Sequence, residues 1–189
     1  MPVTPRLAAT IILLRGGAQT LEVLLVLRTS SARFMPGAWV FPGGAVEPDE
    51  DERTAAVREL GEEAGITVPD GEALVLFSRW ITPSHMPIRF DTHFFLAAAP
   101  SDAQVVVDGS ETVDHCWITP QAALELHEAD ELLLVLPTLT QLGRLSGFAS
   151  SDELLAYADG REVVAVQPRV GVGEKARILL PGDPGDDDA

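Results

Sequence analysis

Apolar residues fall along this chain in short blocks, some continuous and some alternating with polar ones. AATIILLRG (8–16) and LEVLLVLRT (21–29) are apolar and rich in branched residues, with Gly16-Gly17 between them, and predict two strands joined by a short loop. WVF (39–41) predicts a brief strand entering Pro42-Gly43-Gly44. The period then changes to that of a helix over 52–64, with Asp51 as N-cap and Gly65 as the C-terminal stop. GEALVLFSRWITP (71–83) and RFDTHFFLAAAP (89–100) predict strands, and AQVVVDG (103–109) a weaker one. Three more helices are expected: 120–131, capped by Thr119 with Pro120 in its first turn; 136–147, ended by Gly147; and DELLAYADG, capped by Ser151. EVVAVQPRV and ARILLPG can pair as a late hairpin, ahead of a polar tail. Strands and helices are mixed along the chain, which favours an α/β or α+β fold.

Composition narrows this picture. A chain of 189 residues with 46% hydrophobic content can bury a real core, and one domain over 1–180 followed by a disordered acidic tail over 181–189 is expected. Thirteen Lys and Arg against 29 Asp and Glu give a net charge of −16, which argues against a nucleic-acid polymer or an anionic membrane surface as partner. Cys116 is the single cysteine and reads as a small buried hydrophobe rather than a nucleophile. The N-terminal sequence does not read as a signal peptide, and no apolar run approaches the roughly 18 residues of a spanning helix, so a cytoplasmic protein is expected.

The acidic charge is concentrated. Gly43 to Ile66 holds eight acidic and two basic residues, and Glu59, Glu62 and Glu63 crowd onto the predicted helix. At 100° per residue, Ala56, Val57 and Ala64 fall within about 60° of Leu60 and form a packing stripe. The three glutamates occupy a separate arc about 100° wide, with Arg58 beside Glu62. Like charges at i+3 and i+4 repel, and two of these acids sit near the C-terminal end, where the helix dipole disfavours them. A solvated face would tolerate that. A functional alternative removes the repulsion with hard divalent cations, for which carboxylate oxygens are suitable ligands. Such cations would also let an acidic protein hold a polyphosphate, and Gly43-Gly44 permits close backbone approach, so that a carbonyl there adds a ligand.

The same residues carry a family resemblance. Gly44-x5-Glu50-x7-Arg58-Glu59-Leu60-x-Glu62-Glu63-x-Gly65-Ile66 matches the Nudix box, GX5EX7REUXEEXGU with U a bulky apolar residue, over 23 residues or about an eighth of the chain. The chain is therefore identified as resembling the Nudix hydrolases, which implies an α/β/α sandwich around a mixed sheet and hydrolysis of a diphosphate linked to another group. By position, the resemblance implies Mg²⁺ or Mn²⁺ held by Glu59, Glu62 and Glu63, assistance from Glu50, the Gly44 carbonyl as a further ligand, and Arg58 orienting the glutamates. The cations would neutralise the diphosphate, activate a water and stabilise the leaving phosphate. Glu62 is one candidate for the general base. Glu111, in SETVDHCW, is another, at a place similar to that of a functional Glu in some members; Asp114 and His115 are weaker candidates.

A second resemblance concerns the substrate. Coenzyme A diphosphatases of this superfamily carry L-L-T-x-R-[SA]-x3-R-x3-G-x3-F-P-G-G. Here the chain reads Leu24-Leu25-Val26-Leu27-Arg28-Thr29-x3-Arg33-x3-Gly37-x3-Phe41-Pro42-Gly43-Gly44, departing at Val26 and Thr29. FMPGAWVFPGG and WITPSHMPIRFDTHFFLA look like the peroxisomal branch, although that branch often has a longer insertion inside its box and the box here is uninterrupted. The tail DDDA is no peroxisomal address. The resemblance implies cleavage of coenzyme A or acyl-coenzyme A to 3′,5′-ADP and (acyl-)4′-phosphopantetheine. Arg28 and Arg33 are sensible phosphate contacts. Arg89 and Asp91 either meet substrate or pair with each other, and Trp80, Phe90 and Phe94 either stack on adenine or fill the core. None of His85, His93, His115 and His127 has metal-ligand spacing with another, and no metal role is assigned to them.

The same chemistry on ADP-ribose, NADH or a (d)NTP is the alternative substrate reading. A non-catalytic nucleotide-sensing module is a different class, disfavoured because Glu50, Glu59, Glu62 and Glu63 are all present. ELLLVLP and EVVAVQPRV can serve either a homodimer interface or the core.

Overall fold

The computed structural model describes residues 3–68, 74–171 and 177–179. Strands β1 (Arg6–Arg15) and β2 (Glu22–Arg28) form the expected hairpin. The turn needs glycine twice, since Gly16 and Gly17 have φ of 117° and 58° and a Cβ on Gly16 would meet the Thr20 carbonyl. The hairpin is paired only at its closed end, Leu14 with Val23 and Arg15 with Glu22. Beyond that the two strands take different neighbours. β3 (Trp39–Val40) joins β2 through Val26 and Leu27, whereas β4 (Gly43–Ala45) joins β1 through Ala8, Ala9 and Thr10. The fork between them is the structural origin of the cleft described below.

The rest of the sheet fixes the floor. β6 (Phe90–Ala98) lies parallel to β1 over nine consecutive pairs, from Arg6 with Phe90 to Leu14 with Ala98. β5 (Val75–Ile81) runs antiparallel to β6, and β8 (Ala165–Val166) adds a parallel edge to β5. β7 (Thr112–Ile118) pairs antiparallel with β2. β9 (Arg169–Gly171) and β10 (Arg177–Leu179) make a separate two-stranded ladder.

Helix α1 (Glu52–Ala64) covers one face of the sheet. Ile11, Leu13, Leu24, Val26 and Phe95 meet Ala55, Ala56, Leu60 and Ala64 there. Helices α2 (Pro120–Glu128), α3 (Leu136–Leu145) and α4 (Ser151–Ala158) cover the other. Ile12, Leu14, Val23, Leu25 and Leu96 meet Leu142, Leu145 and Leu154 on that side. Alternate residues of β1 therefore feed two cores, which explains its unbroken apolar run. The architecture is the expected α/β/α sandwich around a mixed sheet.

Several expectations need correction. AQVVVDG is not a strand; the Val106 amide donates to the Ala64 carbonyl at the end of α1, and Val106 is exposed. β7 was not anticipated, because Asp114 and His115 interrupt its apolar pattern. The α4 cap is Ser150, whose Oγ accepts from the Glu153 amide, while the Ser151 hydroxyl donates to the Gly17 carbonyl. EVVAVQPRV divides between β8 and β9, so only its end forms the late hairpin. Leu132 and Leu134 of ELLLVLP lie in the core, with Leu133 exposed. The tail over 181–189 and residues 71–73 of the β5 segment lie outside the described residues.

Candidate active site

Local sequence places α1 over the fork. The Asp51 carboxylate accepts the Thr54 amide and starts the helix, and Gly65, at φ 66°, ends it. Small residues on the inner face let the helix approach the sheet closely. Glu63 is consequently buried, at 3% exposure, although the helical wheel grouped it with the charged arc. Its Oε2 accepts the Gly43 amide at 2.9 Å and its Oε1 lies 3.7 Å from Arg28 Nη1.

Arg58 organises the remaining carboxylates. Its Nε and Nη2 donate to the two oxygens of Glu50 at 3.1 and 2.6 Å. Its Nη1 donates to Glu59 at 2.9 Å and to Glu62 at 3.0 Å, and Nη2 also reaches the Ala45 carbonyl at 3.1 Å. Glu50 is held in turn by the Glu47 amide. A planar guanidinium with five donors can serve this many acceptors at once, which a lysine cannot.

The loop before β7 approaches from the opposite side. Asp108 accepts the amides of Ser110, Glu111 and Thr112, at 3.0, 2.9 and 2.8 Å, as well as the Ser110 hydroxyl. The Thr112 hydroxyl bonds to the backbone carbonyl of Glu63 at 2.8 Å, tying loop to helix. Glu59, Glu62 and Glu63 of α1, with Arg28, Asp108 and Glu111, line a cleft of about 680 Å³. Its apolar lining includes Phe34, Met35, Phe90, Phe94 and Val135.

Titration follows these surroundings. Burial pushes the Glu63 carboxyl up to about 7, against the opposing pull of the Gly43 amide, with Glu59 adding to the rise. Burial also raises Glu59, partly offset by Arg58. The Arg58 hydrogen bond lowers Glu50. Burial opposes ionisation of Asp108, but hydrogen bonds from Ser110, Glu111 and Thr112 outweigh it and hold the group well below the usual carboxylate range. In the cation-free protein, Glu63 is protonated in both folded and unfolded chains below pH ~4.5. Above that the unfolded chain releases the proton while the folded one retains it, so the contribution of Glu63 to stability is lost as pH rises towards 7. Glu63→Gln should flatten that part of the stability–pH curve, by on the order of 3 kcal/mol at most. Chemical denaturation of both proteins in chelator between pH 4.5 and 8 measures the difference.

The family assignment follows from comparison with known proteins. The family model for the NUDIX domain matches residues 4–137. The chain belongs to the Nudix family. It is a hydrolase of that family. It is 30% identical to a putative nudix hydrolase 7 of Caenorhabditis elegans over 94% of this chain and 73% of the relative. It is 33% identical to a human acyl-coenzyme A diphosphatase, NUDT19, over 61% of this chain but only 32% of that protein. Among solved structures, a NUDIX hydrolase from Alicyclobacillus acidocaldarius aligns with a TM-score of 0.73 at 26% identity, over 82% of this chain and 96% of that one.

Within this Nudix site, Gly44, Arg58, Glu59, Glu62 and Glu63 come together at one end of the cleft, joined by Arg28 and Glu111. Glu50 is attached through Arg58. Arg33 is exposed and does not line the cleft. Arg89 is 8% exposed and braces backbone, donating to the Thr82 and Val3 carbonyls. Asp91 pairs with Arg79 at 2.6–2.8 Å rather than with Arg89. Trp80 lies in the core, Phe90 lines the cleft, and Phe94 belongs to both. Cys116 is half-buried and its thiol is pushed up to about 11 by burial, which leaves no thiolate near neutrality. The sequence reading missed Arg6, Phe34 and Asp108 in the lining. The turn signal Asp108-Gly109-Ser110 was available for one of them.

The donor chemistry fits a hard divalent cation, since three carboxylates converge on Arg58 and a fourth, the buried Glu63, lies on the same helix with Arg28 beside it. In their present positions no three or more His, Cys, Asp or Glu side chains converge on one point among the described residues. The carboxylates are engaged with Arg58, Arg28 and the Gly43 amide, so cation binding requires an exchange of partners.

Two glycine substitutions separate packing from chemistry. A Cβ on Gly43 would lie 2.6 Å from Thr10 Cα, a backbone contact that cannot yield. Gly43→Ala should cost about 1–3 kcal/mol in denaturation. A Cβ on Gly44 would meet the movable Glu59 carboxylate. Gly44→Ala should therefore unfold near the parent temperature yet displace Glu59 and lower turnover at least ~ten-fold.

Proposed function

We propose that the cleft hydrolyses a diphosphate bond in a nucleotide-linked small molecule with Mg²⁺ or Mn²⁺, and that the substrate is coenzyme A or acyl-coenzyme A. The carrying observation is the Arg58 guanidinium, which holds Glu50, Glu59 and Glu62 beside the Glu63 carboxylate on the Gly43 amide. Glu59, Glu62 and Glu63, with Glu50 and the Gly44 carbonyl, would hold the cations. When bound, these neutralise the diphosphate and make water a stronger nucleophile near neutral pH.

This chain's residues supply the rest. Arg58 keeps carboxylates of like charge together and orients them. Arg28, fixed by the Phe34 carbonyl at 3.1 Å, adds positive charge at the diphosphate end. Glu62, whose side chain is 61% exposed, or Glu111, on the loop braced by Asp108, would take the proton from the attacking water. Water adds to one phosphorus as the bridging P–O bond breaks, and coenzyme A yields 3′,5′-ADP and 4′-phosphopantetheine.

Support for the substrate comes from the Arg28, Arg33, Gly37 and Phe41-Pro42-Gly43-Gly44 spacing and from the similarity to the human acyl-coenzyme A diphosphatase. A nucleoside triphosphate is the alternative, supported by 34% identity to the CTP pyrophosphohydrolase of Escherichia coli over 55% of this chain and 71% of that protein. Initial rates with coenzyme A, ADP-ribose, NADH and CTP at equal Mg²⁺ decide between them. The expected order places coenzyme A first by at least ~ten-fold in kcat/KM. Turnover of CTP or ADP-ribose with coenzyme A untouched would sink the substrate assignment.

A further inference from the structure

We propose that Arg6, at the end of the cleft away from the box carboxylates, forms a subsite for a second phosphate on the nucleoside of the substrate. The inference rests on the diphosphatase reading and assigns its phosphate-recognition residue. Among the described residues, three arginines line the cleft. Arg58 is engaged by the carboxylates, and Arg28 by the Phe34 carbonyl and Glu63. Arg6 is exposed, and its guanidinium has no hydrogen-bond or ion-pair partner among the described residues.

Strand geometry gives the spacing. Arg6, Ala8 and Thr10 share the cleft-facing side of β1, and Ala9 pairs with Gly44. Arg6 is three residues from Ala9, roughly 10 Å along an extended strand. Across the parallel ladder Arg6 pairs with Phe90, whose ring meets Phe34 edge-on with centroids 5.5 Å apart. From Glu59, Glu62 and Glu63 outward, the cleft thus offers a polar end, an aromatic wall and the unpaired Arg6 cation, with Glu47 also in the lining. A ligand complementary to that order has a diphosphate, a flat ring and a further phosphate, as in a 3′-phosphorylated adenosine diphosphate. Arg33, the sequence-based candidate for such a phosphate, lies outside the cleft lining, and Arg28 belongs to the diphosphate end. An unpaired guanidinium can grip a phosphate with two donors, and its pull falls as salt rises.

The test compares two substrates that differ only in the second phosphate, coenzyme A and dephospho-coenzyme A. The ratio of their kcat/KM values should fall about ten-fold in Arg6→Gln, through KM rather than kcat, with partial recovery in Arg6→Lys. An unchanged ratio overturns the subsite. If the wild type turns over neither substrate, the coenzyme A assignment fails separately, and calorimetry still judges Arg6. Wild-type protein should bind adenosine 3′,5′-bisphosphate about ten-fold more tightly than AMP, a preference that Arg6→Gln removes. Equal binding of both by the wild type contradicts the inference.

Discussion

Arg58→Ala is expected to cut turnover by two orders of magnitude or more and to destabilise the protein by about 2–3 kcal/mol. Five hydrogen bonds converge on this side chain, to Glu50, Glu59, Glu62 and the Ala45 carbonyl. Their removal leaves Glu50 and Glu59, at 10% and 13% side-chain exposure, as unpaired anions. Loss of one partner of a half-buried charge network costs more than the network contributes, because the remaining charges are already desolvated. Arg58→Lys separates charge from geometry. Lysine keeps the positive charge but has three donors on one atom and cannot reproduce the fork. It should recover much of the stability, measured by denaturant midpoint, and little of the turnover. Full activity in the lysine variant would show that Arg58 acts only as a point charge.

Glu62→Gln is expected to reduce turnover by roughly two or more orders of magnitude while the fold stays intact. Glu62 is the most exposed of the box glutamates and its bond to Arg58 is a surface i,i+4 pair, worth only a few tenths of a kcal/mol. The variant therefore removes a proton acceptor and an oxygen charge at little structural cost. It also relieves repulsion with Glu59. Unfolding of the cation-free variant should match the parent within about 0.5 kcal/mol. Near-normal kcat would remove Glu62 from the chemistry and leave Glu111 as the general-base candidate.

Much of this site could be read from the chain. Helix α1 was legible because the Asp51 cap, the Gly65 stop and the Leu60 stripe agree on one element. The box spacing is local, so it survives into the structure as a single constellation around Arg58. Glu63 was misread in one respect. A wheel describes angle only, whereas burial depends on what the helix packs against, and here the small Gly43 lets a carboxylate reach the sheet. Arg89 illustrates a long-range limit. Its backbone partners are Val3 and Thr82, and the pairing with Val3 spans 86 residues that no local pattern encodes. The loop over 103–109 failed as a strand because the Val106 amide found the α1 carboxyl end, a tertiary choice that β-propensity does not register. Arg6 carries no motif at all. Its place in the cleft depends on the parallel pairing of β1 with β6.

The measurement that most directly tests the account is release of 3′,5′-ADP from coenzyme A by the folded protein, with and without Mg²⁺ and in parallel with Glu59→Gln. Product should appear with Mg²⁺, disappear in chelator, return when the cation is restored, and drop by at least ~100-fold in Glu59→Gln. Well-folded protein that releases nothing from coenzyme A, ADP-ribose, NADH or CTP under these conditions, or that works equally well in chelator, would contradict it.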